Sequence, residues 1–214
     1  MNAKKTQVLS TIARLKQAPF GSMDLVSRES KNPLILRLLT TQCAHDTGIV
    51  RLLGRWRKKH EYWFPAQFPV SMKRTASWLQ NRVLNEPDRL LFMIDIHGTY
   101  RGHVGLYRFD FDNNCCEIDN IVRGRVGRKG MMAEAIQLMM RWGRETLGLT
   151  SYTLQTTSDN TRALALYTRL GFVETKRIPL VYTKTPDGGE WTIAPDGYTK
   201  RIKRFDVYMT GEGN

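Results

Sequence analysis

The most informative part of this chain reads Val122-Arg123-Gly124-Arg125-Val126-Gly127-Arg128-Lys129-Gly130-Met131-Met132. An apolar, β-branched strand end leads here into a loop of three glycines and four cations, and a helix is predicted to begin near Met131. Glycines let backbone N–H groups turn toward an anion, and a helix N-terminus adds the positive end of its dipole. The loop therefore suits a pyrophosphate, although a solvated connection between a strand and a helix would show the same composition.

A second segment continues the alternation of strand and helix. Residues 151–157 alternate and are rich in β-branched side chains, which predicts a strand. Ser158-Asp159-Asn160 then supplies cap residues for a helix over residues 161–170, and Gly171 ends that helix. Asn160 and Tyr167 are expected on one face of this helix, at a separation of about 10 Å.

Together these two segments resemble the acyl-CoA core of the GNAT N-acetyltransferase superfamily. Members of this family commonly read N-x-x-A-x-x-x-Y-x-x-x-G-F in the second helix. The same spacing is found here in Asn160, Ala163, Tyr167, Gly171 and Phe172. The resemblance extends over residues 30–175 and is strongest over residues 117–173.

The glycine-rich loop resembles the family pattern Q/R-x-x-G-x-G/A less closely. With Gly130 at the first glycine, Gly127 takes the Gln/Arg position and Met132 takes the final Gly/Ala position. Gly127 lacks a side chain that would help hold the phosphates, and Met132 adds bulk where the backbone should approach them. Arg125, Arg128 and Lys129 are expected to compensate through their positive charge.

The rest of the chain is consistent with the same fold. Apolar periodicity predicts a strand over residues 34–42, helices over 46–58 and 71–84, a meander of strands over 90–96, 100–109 and 115–122, and a late strand over 203–209. The expected class is α/β (α+β): a GNAT fold whose mixed, mostly antiparallel central sheet has about six to seven strands and is flanked by helices.

Composition predicts one domain. The chain has 214 residues, of which 41% are hydrophobic and 25% charged, and no Pro- or Ser-rich linker divides it. Residues 1–20 are a polar, basic N-terminal arm that could form a short amphipathic helix, and the resemblance implies that residues 21–214 are a single GNAT acetyltransferase domain. Because the chain has no apolar run of ~20 residues and no secretory signal, we expect a cytoplasmic protein and no membrane insertion.

The three cysteines lack the spacing of metal ligands, which predicts free thiols and no metal.

The net charge of +13 arises from 33 Lys and Arg against 20 acidic residues. These cations are dispersed and are not interleaved with aromatic residues, which argues against nucleic acid as a partner. A basic surface of this kind would attract a polyanionic cofactor or a phosphate-bearing acceptor, and equally ribosomal RNA beside a protein substrate.

The resemblance implies acetyl-CoA as co-substrate and acetyl transfer to a primary amine on a small-molecule acceptor. It assigns cofactor binding to Ile121, Val122, Gly127, Arg128, Lys129, Gly130, Met131, Met132, Asn160 and Tyr167. A backbone N–H at the end of the strand carrying Val122 is the expected oxyanion donor. Tyr167 is the expected proton donor to the CoA thiolate. Asn160 either hydrogen-bonds the pantetheine or a water, or only caps its helix.

Three residues are candidates for the general base. Glu117 and Asp119 share one face of their strand by its period of two, and Asp119, nearer the strand end, is the first choice. Either could instead be an ordinary exposed carboxylate. His103, in the neighbouring strand, has a suitable unperturbed pKa, although a lone strand histidine is more often structural.

The sequence leaves the acceptor open. Trp56-Arg57-Lys58, the aromatic segment Tyr62-Trp63-Phe64 and residues 117–124 resemble acetyltransferases of nucleotide-linked amino sugars, in which aromatic rings would stack on the base and arginines would meet the diphosphate. N-terminal or side-chain acetylation of a protein, as in ribosomal-protein acetyltransferases, is the alternative, and a non-catalytic acyl-CoA-binding domain is the second. The tail over residues 183–214 is expected to shape the acceptor pocket or a homodimer contact.

Overall fold

The architecture is a mixed sheet with helices on both faces. The computed structural model describes residues 3–27 and 33–212. Its α-helices are α1 (Ala3–Gln17), α2 (Thr47–Lys59), α3 (Met72–Leu79), α4 (Met131–Leu147) and α5 (Thr161–Arg169). Its strands are β1 (Leu25–Val26), β2 (Ile35–Leu38), β3 (Ala66–Gln67), β4 (Leu90–Ile96), β5 (Thr99–Asp110), β6 (Cys115–Val122), β7 (Ser151–Thr157), β8 (Val173–Thr185), β9 (Gly188–Ile193) and β10 (Arg204–Glu212). Two short 3-10 helices (Thr41–His45 and Glu61–Trp63) and a π-helix (Gln80–Leu84) lie between them.

The described strands form one ten-stranded sheet in the order β1-β2-β4-β5-β6-β7-β10-β8-β9-β3. Neighbouring strands are antiparallel except β6 and β7, which run parallel and are joined by the crossover helix α4. The predicted fold class is therefore confirmed. The predicted count of six to seven strands is wrong, because β1 and β3 are two-residue strands created by pairing at the sheet edges, and because the tail adds the long hairpin β8–β9.

Local signals place several elements correctly. Strands β6 and β7 have the predicted bounds, and Asp46 caps α2 by accepting a hydrogen bond from the backbone N–H of Ile49 at 2.9 Å. The first long strand is shorter than predicted because the chain turns into the 3-10 helix at Thr41. The predicted helix over residues 71–84 changes from α to π geometry at Gln80.

Helix α1 occupies most of the predicted N-terminal arm. Its side chains Val8, Ile12 and Leu15 are buried in the main hydrophobic core. The buried ammonium of Lys16 donates hydrogen bonds to the carbonyl oxygens of Val83 (2.8 Å) and Leu84 (3.3 Å), and burial lowers its pKa to about 8. This helix therefore packs into the same core as the rest of the chain, and residue 21 does not separate it structurally.

Two hydrophobic cores lie on opposite faces of the sheet. Along β4, Leu90, Phe92 and Ile94 point into the core covered by α1 and α4, whereas Leu91 and Met93 point into the core covered by α2 and α3. A strand buried on both faces reads as a continuous apolar run, which is why the sequence of β4 lacks clear alternation.

Strand β6 is irregular at Asn120. Gly105 of β5 faces Asp119, but His103 faces Val122, so β6 holds one residue more than its partner over this stretch. Asn120 adopts a positive φ of 49°, a conformation that Asn tolerates better than most residues. The result is a β-bulge, which bends and twists the strand just before the glycine-rich loop.

Strands β6 and β7 pair over only part of their length. The parallel pairing joins residues 115–117 to residues 151–153 and ends at Glu117 and Thr153. Strand β7 continues to pair with β10 as far as Thr157. Among the described residues, no strand pairs with this side of β6 beyond Glu117, so the two strands diverge and leave a wedge-shaped opening in the sheet.

Candidate active site

A cavity of about 1290 Å³ occupies the opening between β6 and β7. Its lining brings together the two segments singled out in the sequence, which are the glycine-rich loop with the start of α4, and Asn160 and Tyr167 around α5. Among the described residues, every predicted site residue except His103 lines this cavity. These are Glu117, Asp119, Ile121, Val122, Gly127, Arg128, Lys129, Gly130, Met131, Met132, Asn160 and Tyr167.

The loop enters α4 through a glycine in the left-handed region. Gly130 has a φ of 83° and directly precedes Met131, the first residue of the helix. A Cβ atom at Gly127 would lie 2.5 Å from the Sδ of Met131. Met131 is buried in the core, so its thioether closes the space that a larger residue at position 127 would need.

Helix α2 holds the loop from the other side. A Cβ atom at Gly124 would lie 2.0 Å from the Trp56 ring, so only glycine permits this close contact between loop and helix. The ammonium of Lys59 donates to the Gly124 carbonyl oxygen at 3.1 Å, and His60 Nε2 lies 3.0 Å from the Arg123 carbonyl oxygen. The loop is thus tied to α2 by one aromatic contact and two polar contacts, of which the sequence indicated only the Trp56 segment.

Positive charge surrounds the loop. Arg128 forms an ion pair of 2.5 Å with Glu134 in the first turn of α4, and the neighbouring Lys129 is exposed. Arg162 and Arg169 of α5 line the same cavity, although the sequence did not single them out. Cations from the glycine-rich loop and from α5 therefore line the same cavity.

Tyr167 lies between the core and the cavity. The residue is only 4% exposed, and its ring packs edge-on against Phe172 with centroids 6.4 Å apart. Burial raises the pKa of this phenol above its ordinary value. The hydroxyl therefore keeps its proton at neutral pH, which is the form that can donate a proton or a hydrogen bond.

Asn160 caps helix α5 and faces the cavity at the same time. Its side-chain oxygen accepts from the backbone N–H of Ala163 at 3.3 Å, and its side-chain nitrogen donates to the Thr156 hydroxyl at 3.2 Å. The capping role left open by the sequence is therefore present. It orients the first turn of the helix that carries Tyr167.

Two predicted carboxylates lie on the β6 wall. Glu117 accepts hydrogen bonds from Arg108 at 3.1 Å and from Gln155 at 3.4 Å. Asp119 accepts from Asn120 at 2.7 Å and is also ion-paired with the guanidinium of Arg89. Burial raises the pKa of both carboxyl groups, while the neighbouring arginines oppose the shift.

Strand β10 adds a third carboxylate that the sequence did not reveal. Asp206 and Tyr208 line the cavity beside Gln155, and burial raises the pKa of the Asp206 carboxyl. In the sheet, Tyr208 is paired with Gln155 across the β10–β7 boundary. Alternation alone could have grouped Asp206 with Tyr208, but only the strand order shows that they face the same cavity as Glu117.

His103 is separated from these groups. The ring lies beneath Trp56, with centroids 5.9 Å apart, and its Nδ1 is 2.7 Å from the Asn120 carbonyl oxygen. Burial lowers the pKa of His103 to about 4, so the ring is neutral at physiological pH. It supports the bulge in β6 and is not among the described residues that line the cavity.

The described residues contain no group of three or more His, Cys, Asp or Glu side chains arranged to hold a metal ion. In the same part of the chain, no helix has both the length and the apolar character that a bilayer crossing requires.

The fold is shared with several solved acetyltransferases. The ribosomal L7/L12 α-N-protein acetyltransferase is 14% identical, with a TM-score of 0.66, over 92% of this chain and 99% of that chain. Spermidine N-acetyltransferase from Vibrio cholerae, in complex with CoA and spermine, is 17% identical, with a TM-score of 0.63, over 84% of this chain and 95% of that chain. A probable GNAT acetyltransferase from Chromobacterium violaceum is 17% identical, with a TM-score of 0.64, over 92% and 88% of the two chains.

Family membership rests on the sequence itself. No curated protein matches the chain. The family model described as the acetyltransferase (GNAT) domain matches residues 34–173, which include the bulged strand, the glycine-rich loop and helix α5. The chain therefore belongs to the GNAT acetyltransferase family and is an N-acetyltransferase with acetyl-CoA as its co-substrate.

Proposed function

We propose that the protein acetylates a primary amine which enters the cavity as a positively charged ammonium ion. The observation that carries this proposal is the group of three carboxylates on one side of the cavity, Glu117, Asp119 and Asp206. Carboxylates in a partly desolvated wall attract a cation and hold its N–H groups by charge-assisted hydrogen bonds. The same wall repels an anionic acceptor, which must then be recognised elsewhere.

The cofactor is proposed to lie along the loop and the free side of β6. Backbone N–H groups from Gly127 to Met132, at the N-terminus of α4, would hold the diphosphate, with Arg128 and Lys129 adding charge. The pantetheine would follow β6 at Ile121 and Val122, because no described strand occupies that side beyond Glu117. Asn160 would contact it from α5.

Acetyl transfer then needs three events. A base takes a proton from the ammonium, the neutral nitrogen attacks the thioester carbonyl carbon, and the carbon–sulfur bond of the tetrahedral intermediate breaks. A backbone N–H at Val122 would stabilise the oxyanion. Tyr167 would give its proton to the departing CoA thiolate and recover a proton from solvent in the next cycle.

Glu117 is the better supported base. Asp119 is held by Arg89, and both side chains of that pair are nearly buried. The partner of Glu117 is Arg108, whose side chain is 62% exposed, so its attraction is screened by water. A carboxylate that has a raised pKa and only a weak ion pair can accept a proton and release it to solvent, and Glu117 meets both conditions. Asp119 would then orient the amine.

The acceptor class follows from the charge of this wall. A protein α-amine and an aliphatic polyamine are both cationic before deprotonation, and the similar structures include proteins named for acetylating each of them. Nucleotide-linked amino sugars remain a second candidate because Trp63 and Phe64 line the cavity. One of the arginines expected to meet the diphosphate is engaged, however, because Arg57 stacks on Phe64 at 3.7 Å and donates to the Ala66 carbonyl oxygen. A cytoplasmic location and a homodimer also remain proposals.

The acceptor proposal predicts a preference among three kinds of amine. In a thiol-release assay with acetyl-CoA, peptides with free N-termini or polyamines should be acetylated with a higher kcat/KM than amino-sugar nucleotides. Lysine-free peptides with a blocked N-terminus and polyamines acetylated at both ends serve as controls, since they lack a primary amine. Faster acetylation of the sugar nucleotides would overturn the cationic-acceptor proposal.

The pH dependence tests Glu117. Because burial raises the pKa of this carboxyl, its basic form is lost as pH falls through that raised value, and kcat/KM should fall with it. Glu117→Gln should lower kcat by about 10²-fold or more and remove this acidic decline. Glu174→Gln, at an exposed carboxylate on β8, is the control and should leave the profile unchanged. A decline that persists in Glu117→Gln but disappears in Asp119→Asn would assign the base to Asp119.

Removal of the Tyr167 hydroxyl tests the proposed acid. Tyr167→Phe should reduce kcat by about 10²- to 10⁴-fold while the affinity for CoA stays close to that of the wild type. Tyr198→Phe removes a hydroxyl from an exposed tyrosine that is not among the described residues lining the cavity, and it should not change kcat. An unchanged kcat in Tyr167→Phe would exclude the phenol as the proton donor.

Charge reversal tests the cofactor loop. The double variant Arg128→Glu with Lys129→Glu should weaken CoA binding by about tenfold or more, equivalent to about 1.4 kcal/mol, and the difference should shrink at high salt. The double variant Lys176→Glu with Lys184→Glu reverses two exposed charges on β8 and controls for the change in net charge. Titration calorimetry with CoA measures both, and equal affinities would remove the loop cations from the binding site.

A further inference from the structure

An arginine at the start of β10 is enclosed by two aromatic rings. The guanidinium carbon of Arg204 lies 4.3 Å from the centroid of the Tyr62 ring and 4.3 Å from that of the Trp191 ring. The residue is only 2% exposed. It also forms an ion pair of 2.5 Å with Asp159 and donates to the Tyr62 carbonyl oxygen at 3.3 Å. We call these four residues the Arg204 cluster.

The cluster joins four segments that are distant in sequence. Tyr62 belongs to the 3-10 helix that follows α2, Trp191 to β9, Arg204 to β10, and Asp159 to the turn between β7 and α5. The Tyr62 hydroxyl closes the cluster by donating to the same Asp159 oxygen at 2.8 Å. Two further hydrogen bonds between Ser158 and Phe205, of 2.8 and 3.0 Å, fasten the turn to the start of β10.

The cluster lies between the two halves of the proposed reaction. On one side, Asp159 directly precedes Asn160, which caps the helix carrying Tyr167. On the other side, the aromatic segment with Trp63 and the strand β9 with Trp191 and Ile193 line the cavity. A displacement of Arg204 would therefore alter the position of the wall formed by these segments relative to α5.

The ion pair and the aromatic contacts of Arg204 are expected to form or be lost together. A buried guanidinium needs its ion pair and its aromatic contacts together, because loss of one partner leaves a desolvated charge. Although partial burial opposes it, the hydrogen bonds from Arg204 and Tyr62 lower the pKa of the Asp159 carboxyl, so this carboxyl stays ionised at neutral pH. This pair is thus more strongly coupled than a solvent-exposed pair of the same residues.

We propose that Arg204 is a positioning residue that fixes the acceptor-side wall, formed by residues 61–67 and 188–193, against the turn that leads into α5. The role deepens the proposed function and rests on it, because it assumes that an acceptor whose amine is held by Glu117, Asp119 and Asp206 also contacts this second wall of the same cavity. Arg204 acts through the wall and takes no part in proton transfer. Its loss should therefore raise the KM for the acceptor more than it lowers kcat, and it should leave CoA affinity nearly unchanged.

Three variants separate positioning from stability. Arg204→Met leaves the Asp159 carboxylate without its partner, and Asp159→Asn leaves the Arg204 charge without its partner. The double variant removes both charges and should regain part of the melting temperature lost in each single variant. Arg177→Met is the matched control, because its pair with Glu174 is exposed on β8.

The expected result is a rise of at least tenfold in the acceptor KM for both single variants and for the double variant, with the Arg177→Met value unchanged. Arg204→Lys, which keeps the charge and the aromatic contact, should recover part of the acceptor KM. If the double variant restores the acceptor KM together with the melting temperature, or if Arg204→Met changes only the melting temperature, the positioning role is wrong.

A second measurement needs no acceptor. Hydrogen–deuterium exchange should become faster at residues 61–67 and 188–193 in Arg204→Met, and stay unchanged in α4. Unchanged exchange in these two segments would overturn the proposal. If the wild-type protein acetylates none of the amines tested, the proposed function fails, while the exchange experiment still decides whether Arg204 holds this wall.

Discussion

The separation of β6 from β7 is the constraint on which the rest of the site depends. The parallel pairing stops at Glu117, and β6 is then bulged at Asn120. The separation of the two strands has two consequences for the site. Backbone groups that would otherwise be used in a ladder become available to a ligand, and the side chains of both strands come to line a single opening.

The bulge is supported from both directions. His103 lies 2.7 Å from the Asn120 carbonyl oxygen and packs beneath Trp56, and the same Trp56 ring touches Gly124 in the loop. A buried aromatic ring therefore connects the bulged strand and the glycine-rich loop to helix α2. These contacts give both Trp56 and His103 a structural role.

Charge is divided within the cavity. Cations from the loop and from α5 lie where a diphosphate is proposed to bind, whereas Glu117, Asp119 and Asp206 lie where the amine is proposed to enter. The net charge of +13 does not show this division, because it is a sum over the whole chain in which basic residues outnumber acidic ones. The local electrostatic field depends on burial and on nearby partners. It determines which ligand each part of the cavity attracts.

The sequence by itself determined the parts whose geometry is local. The spacing of Asn160 and Tyr167, the glycines before α4, and the bounds of β6 and β7 depend on residues close in the chain, and so does the family assignment built on them. Contacts between segments that are distant in the chain were decided only by the tertiary structure. It placed Asp206 beside Glu117, removed His103 from the cavity, filled the space beside Gly127 with Met131 and enclosed Arg204 between two rings. These relations depend on the order of strands in the sheet and on packing between distant segments, which periodicity along one chain does not encode.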